Sequence, residues 1–257
     1  MQTLVYDGSF EGWLTAVFDV FEYKFGDVDI VPGPMQQDSL FGVSKTVVSD
    51  SIKAQRVWTG LRKYLSANAM KEIFKTFLSE QTGSENQLLS YARYTFQRKE
   101  SVEQDFTHPA VLYVSQTAKK VHREKHRMEA FVRFQQTSDG LFFATVEPDF
   151  NVLPLIRKHF ADRYADQRWL IYDKKRRYGL YYDLHQVDVV SVDMNDKENQ
   201  ENAVSFTLDE KEELYQLLWQ QYFKSVNITS RKNMKLHIRH MPLRYWKYLV
   251  EKQPLLL

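Results

Sequence analysis

The sequence predicts an α+β fold with a mostly antiparallel sheet, built from hairpins and packed by several helices. Three observations predict it. Helical and strand periods come in separate runs and not in regular alternation. At residue 130 the apolar period switches from 3.6 to 2. Neither GxGxxG nor GxxxxGK[ST] occurs, which removes the phosphate loops of dinucleotide oxidoreductases and nucleotide-driven motors.

The elements follow in order. Residues 3–6, TLVY, read as a short strand. Phe10, Trp13, Leu14, Val17, Phe18 and Phe21 then form one broad apolar helical stripe, with Asp7 or Ser9 as its cap. Gly26 and VPGP at 31–34 end it in a loop, and a second strand is expected near 42–48. Three helices should follow: one capped by Asp50 and running to about 66, one over about 68–81, and one opened by a capping box from Ser84 to Gln87. A long helix is expected from His108-Pro109 to about Glu129. AFVRFQQ (130–136) and LFFATVE (141–147) read as a hairpin, and 151–165 as a helix with Pro154 in its first turn. WLIYDKKRRYGLYYD (169–183) reads as a second hairpin, 187–192 as an edge strand, and 193–204 as a mobile acidic loop. A capping box from Thr207 to Glu210 should open a helix to about 224, and two short helices broken at Pro242 should follow. The 257 residues are read as a single domain, with a candidate helical subdomain at about 50–100 and a basic helical segment at about 225–257.

Composition narrows the function. There is no cysteine, which excludes disulfides, thiolate catalysis, thiolate zinc sites and cysteine-ligated iron–sulfur clusters from this chain. No apolar run approaches the roughly 18 residues of a membrane span, and MQTLVYDGSF lacks the pattern of a signal peptide. A cytoplasmic location without a membrane partner is expected. Net charge is only +2, but it is unevenly spread: residues 188–213 carry nine acids, whereas 224–257 carry eight Lys or Arg and one acid, Glu251. Such asymmetry suits a polyanionic partner.

Three basic stretches are candidates for nucleic-acid contact. At the tip of the second hairpin sit Lys174, Lys175, Arg176 and Arg177, followed by Tyr178, a ring able to stack on a base. KKVHREKHR (119–127) holds five Lys or Arg and two His against one Glu. Lys119 and Arg123 share a helix face with His122 and His126, and Arg127 adds charge. The C-terminal SRKNMKLHIRHMPLRYWKYLVE interleaves Arg239 and Arg244 with Tyr245, Trp246 and Tyr248. The ordinary readings are solvated surface for the charges and core for the aromatics. His122 and His126 have i, i+4 spacing, but HREKH is not HExxH and no third ligand is evident, so neither a metal nor another cofactor is expected. Asp7, Asp149 and Asp173 stand at predicted strand ends, where a carboxylate pair could serve as general acid and base.

LVYDGSFEGWLTAVFDVFE, the stretch from HREKHRMEAFVRF to RRYGLYYD, and HMPLRYWKYLVE together resemble a bacterial family called "probable DNA metabolism protein", formerly a domain of unknown function. The resemblance runs nearly end to end. It implies an origin beside a radical-SAM protein thought to act on DNA. Some members also carry a domain resembling uracil-DNA glycosylase; with the sequence ending at Leu257, none is expected here. KSVNITSRKNMKLHIRH departs from the proline- and asparagine-rich segment of the family. The resulting expectation is a DNA-binding accessory protein that presents DNA to a radical-SAM partner. The alternatives are an enzyme acting on a damaged nucleotide through an Asp acid or base, and a protein–protein adaptor.

Overall fold

A computed structural model describes residues 2–33, 43–191, 208–209, 211–226 and 233–253. The chain divides into two compact units, Met1–His122 and Arg123–Leu257. Among the described residues no helix is long and apolar enough to cross a membrane.

The first unit has a three-stranded sheet in the order β2-β1-β3, from Val28–Pro32, Gln2–Tyr6 and Val43–Thr46, and both pairings are parallel. Helix α1 (Phe10–Glu22) joins β1 to β2. Ser9 caps it by accepting the Gly12 N–H. The apolar stripe then does what its spacing requires: Trp13, Leu14 and Val17 are buried with Leu4 and Ile30 of the sheet. Around Phe10 the rings of Trp13, Trp58, Phe74 and Phe77 pack at centroid distances of 5.1–5.7 Å. Helices α2 (Ser51–Arg62), α3 (Ala67–Phe77) and α4 (Ser84–Arg98) complete the layer. Asp50 caps α2 as expected, through the N–H groups of Ile52 and Lys53. The capping box at Ser84 does not form. Gly83, at φ +82°, takes the cap position, and the buried Ser84 hydroxyl turns to Glu85 instead.

Glu85 is the least comfortable group of this unit. Its carboxylate lies in the core, where it accepts from the Tyr6 hydroxyl at 3.3 Å and the Ser84 hydroxyl at 3.4 Å. Burial pushes its carboxyl above the ordinary range, although both hydroxyls pull it down. The folded state therefore holds this proton more tightly than the unfolded chain. The stabilising contribution is complete below the ordinary carboxylate range and is lost as pH rises through the folded value. Glu85→Gln is accordingly expected to gain stability relative to wild type as pH rises from 4 towards 7. Parallel urea unfolding curves would measure this, and a stability difference independent of pH would contradict it.

The long helix α5 (Pro109–Phe131) runs two residues further than expected, because Phe131 continues the buried row of Val121, Glu124 and Met128. This shortens the first predicted hairpin strand to β4 (Gln135–Gln136), which pairs with β5 (Phe142–Val146). Helix α6 (Leu153–Arg163) follows, with its proline in the first turn, and then β6 (Trp169–Asp173), β7 (Tyr178–Tyr182) and β8 (Val187–Ser191). The five strands lie in chain order, β4-β5-β6-β7-β8. Under the sheet Ile156, Phe160, Trp169, Ile171 and Leu180 are buried. Helix α7 (Glu212–Val226), helix α8 (Met234–His240) and two 3-10 turns at 243–248 and 250–252 close the chain. Thr207, Glu210 and the acidic loop at 193–204 lie outside the described residues.

The α+β class is therefore found, but the mostly antiparallel sheet is corrected. The first sheet is wholly parallel, and the second is mixed, with β5 and β6 parallel. Two strand–helix–strand crossovers, through α1 and α6, account for the parallel β1–β2 and β5–β6 pairings. A helix between two strands brings the chain back to the edge it left, so the second strand runs parallel to the first.

Candidate nucleic-acid interface

Because β5 and β6 are parallel, their C-terminal ends lie side by side and carry two loops, 147–152 and 174–177. This is the edge at which sheets with helical crossovers commonly bind ligands. The Lys174 N–H bonds the Val146 carbonyl at 3.0 Å and fastens the second loop to the end of β5.

The tip is built on a buried carboxylate. Asp173 is 0% exposed. One of its oxygens accepts the N–H groups of Lys175 and Arg176, at 2.9 and 3.2 Å. The other accepts the Arg176 guanidinium at 2.9 Å. Burial raises the Asp173 carboxyl above its ordinary range, and Arg176 opposes the shift. Arg176, only 9% exposed, also donates to the carbonyls of Pro148 and Asp149. Arg177 closes the turn with a left-handed backbone, φ +57°, and donates its N–H to the Asp173 carbonyl. Lys174, Lys175 and Arg177 are exposed; among the described residues the Lys175 ammonium donates to the Asp149 carbonyl at 3.2 Å. The Tyr178 hydroxyl bonds the Asn151 side chain.

The other basic stretches meet this edge through Glu124, the one acid of 119–127. It is 1% exposed. It accepts the Tyr245 hydroxyl, the Asp149 N–H at 2.9 Å and the Arg127 guanidinium at 3.3 Å. Arg244 lies 3.6 Å from Glu124 and pairs with Asp149 at 2.5 Å, its guanidinium 4.5 Å from the Tyr245 ring centroid. Burial, reinforced by Glu124, pushes the Tyr245 phenol far up, so it remains a donor. Nearby, Glu147 pairs with Lys247 and accepts the Tyr248 hydroxyl at 2.8 Å. Residues from α5, the 147–151 loop, the hairpin tip and the C-terminal turns thus converge at one end of one sheet.

The cations here are of two kinds. Arg127, Arg176 and Arg244 are held by Glu124, Asp173 and Asp149, and Arg176 in particular is a structural strut. Lys174, Lys175, Arg177 and Arg123 project to solvent, with no ion pair among the described residues. Lys119 is exposed further along α5, as are His122 and His126, and Arg239 is exposed on α8. Among the described residues no three His, Asp or Glu side chains form a metal-binding group. Asp7 belongs to the first unit, at the end of β1. It accepts from the N–H and hydroxyl of Ser9 and from the Ser49 hydroxyl, at 2.7–2.9 Å. Partial burial works to raise its carboxyl, but those hydrogen bonds outweigh it and hold the group below the ordinary value. Gly12 permits this packing, since a Cβ there would lie 2.3 Å from an Asp7 carboxylate oxygen. Reasoning from sequence missed Glu124 and Glu147. The signal for Glu124 was its place as a lone acid in a basic run on the buried row of a helix.

The family model described as a domain of unknown function, DUF4130, matches residues 82–251, well over half of the chain, and the chain belongs to that family. No curated protein matches. Among solved structures, a pGpG-specific phosphodiesterase, PggH, from Vibrio cholerae is similar over 70% of this chain and 80% of its own, with 12% identity and a TM-score of 0.35. A similarity that low carries no functional argument.

Proposed function

We propose that this DUF4130 protein is a nucleic-acid-binding accessory factor of a DNA repair or modification system, and that it grips phosphates with the 174–177 tip. One observation carries the reading: three basic stretches far apart in sequence converge on Glu124 and Asp149, leaving Lys174, Lys175, Arg177 and Arg123 exposed around them. A rigid tip is what a phosphate grip needs. Asp173 and Arg176 fix the backbone of the turn before binding, so little loop ordering remains to oppose association. Neutralising the exposed cations with DNA phosphates releases counterions and removes their mutual repulsion. The partner enzyme suggested by the resemblance would have radical-SAM chemistry. Since this chain has no cysteine, a cysteine-ligated cluster would have to sit on that partner.

The acid–base reading has less support. Asp173 is sealed from solvent with both oxygens occupied, and Asp149 pairs with Arg244. Fluorescence anisotropy with single- and double-stranded DNA tests the proposal. Binding is expected to weaken with salt at several ion equivalents, each phosphate contact contributing about 0.9 for duplex. If neither form binds at low salt, the proposal fails.

A further inference from the structure

Beside the mixed sheet lies a cavity of about 890 Å³, between α6, α7 and the chain at 129–136. Its size falls within the roughly 300–1,000 Å³ typical of small-molecule pockets. Phe142, the first residue of β5, and Gln167, just before β6, mark its place at the N-terminal ends of those strands, away from the basic tip. Val132, Phe134, Phe142 and Val250 give it an apolar lining.

Its charges set it apart. Two charged groups of the lining are answered nearby: Arg133 pairs with Glu251 at 2.8 Å, and Glu129 with Lys125 at 2.5 Å. Two others are not. Glu212, the first residue of α7, is only 6% exposed. It accepts the Gln136 N–H at 2.9 Å and the Gln216 amide at 3.1 Å, both neutral donors, and it forms no ion pair among the described residues. A buried carboxylate without a cation is costly, and with about four lone-pair sites it keeps room for a further donor. Arg163, the last residue of α6, is exposed and likewise forms no ion pair among the described residues.

One cavity thus holds a carboxylate without a cation and a guanidinium without an anion, on different helices and not paired with each other. A ligand with an ammonium at one end and a carboxylate at the other answers both. A guanidinium takes a carboxylate through two parallel hydrogen bonds, and an ammonium donates to Glu212 in the same charge-assisted way. Gln167 adds a side-chain amide that makes no hydrogen bond among the described residues. Its donor beside an acceptor complements a peptide bond. The size suits more than one residue: three extended residues reach about 10 Å, the order of the cube root of the cavity volume.

We propose that this cavity binds a short peptide of two or three residues with both ends unblocked, its ammonium on Glu212, its carboxylate on Arg163 and its side chains against the apolar lining. The site is separate from the basic tip and does not depend on the tip contacting DNA.

The test is calorimetric titration of the full chain with leucine, leucyl-leucine and leucyl-alanyl-leucine, and with the N-acetyl and C-amide forms of the two peptides. At least one unblocked peptide is expected to bind more tightly than leucine. Its N-acetyl and C-amide forms should each bind at least about tenfold more weakly, the usual effect of losing a hydrogen bond to a charged group. Arg163→Ala should weaken the unblocked peptide about tenfold and leave its C-amide form unchanged. Because this side chain is exposed, the variant should melt close to wild type. Glu212→Gln, which keeps an acceptor for the Gln136 N–H, should likewise weaken the unblocked peptide and leave its N-acetyl form unchanged. A merely structural role would weaken blocked and unblocked forms alike. Lys158→Ala, on α6 but outside the cavity lining, should leave every affinity unaltered. The proposal is overturned if neither unblocked peptide binds at millimolar concentration, if blocking either end leaves the affinity unchanged, or if Arg163→Ala weakens the C-amide form as much as the unblocked one.

Discussion

Arg176→Ala is expected to destabilise the second unit by about 3–5 kcal/mol, the usual cost of removing one partner from a buried ion pair. Asp173 has no exposure and would lose the guanidinium that compensates it. Its carboxyl, already raised by burial, would rise further, so the variant would be hurt more at neutral than at acid pH. The carbonyls of Pro148 and Asp149 would lose a donor as well. Alanine at Lys174, Lys175 or Arg177 should each stay within about 0.5 kcal/mol of wild type, as surface changes usually do. Urea unfolding at pH 5 and pH 8 would measure the contrast. An Arg176→Ala protein as stable as Lys174→Ala at both values would contradict the buried pair. Four adjacent cations thus divide into one strut and three exposed charges.

Glu124→Ala should cost about as much, on the order of 3 kcal/mol or more. The substitution leaves the buried Tyr245 hydroxyl and the Asp149 N–H without an acceptor. A buried hydroxyl stranded in this way costs roughly 1–3 kcal/mol, and the half-buried Asp149 N–H adds less. Arg127 would also lose its partner, and Arg244 one of its two. Glu124→Gln should be milder, because an amide oxygen can still accept from Tyr245. The order wild type, Gln, Ala in midpoint denaturant concentration is the expected result. Equal midpoints for Gln and Ala would show that hydrogen-bond acceptance at this position contributes nothing.

Much of the fold was legible because apolar spacing translates directly into buried faces. The stripe from Phe10 to Phe21 gave α1, and Asp50 gave the start of α2. Strand β2 was not legible: VDIVP is five residues long, ends in proline and lies just after Gly26-Asp27, so turn signals outweighed its alternation. Missing it concealed the parallel sheet, since the helix before it then had no strand to return to. The candidate site was half legible. Its exposed cations were visible as a run, whereas the carboxylates that sort strut from free charge come from other segments. Asp173 was read as a strand end, and Glu124 was outnumbered by its basic neighbours.

The most direct measurement compares the salt dependence of duplex DNA binding for wild type and for the protein with Lys174, Lys175 and Arg177 replaced by alanine and Arg176 retained. If the tip grips phosphates, the variant should melt like wild type while its log–log slope falls by about two to three ion equivalents, at roughly 0.9 per contact. An unchanged slope in a correctly folded variant would contradict the assignment of the tip as the DNA contact.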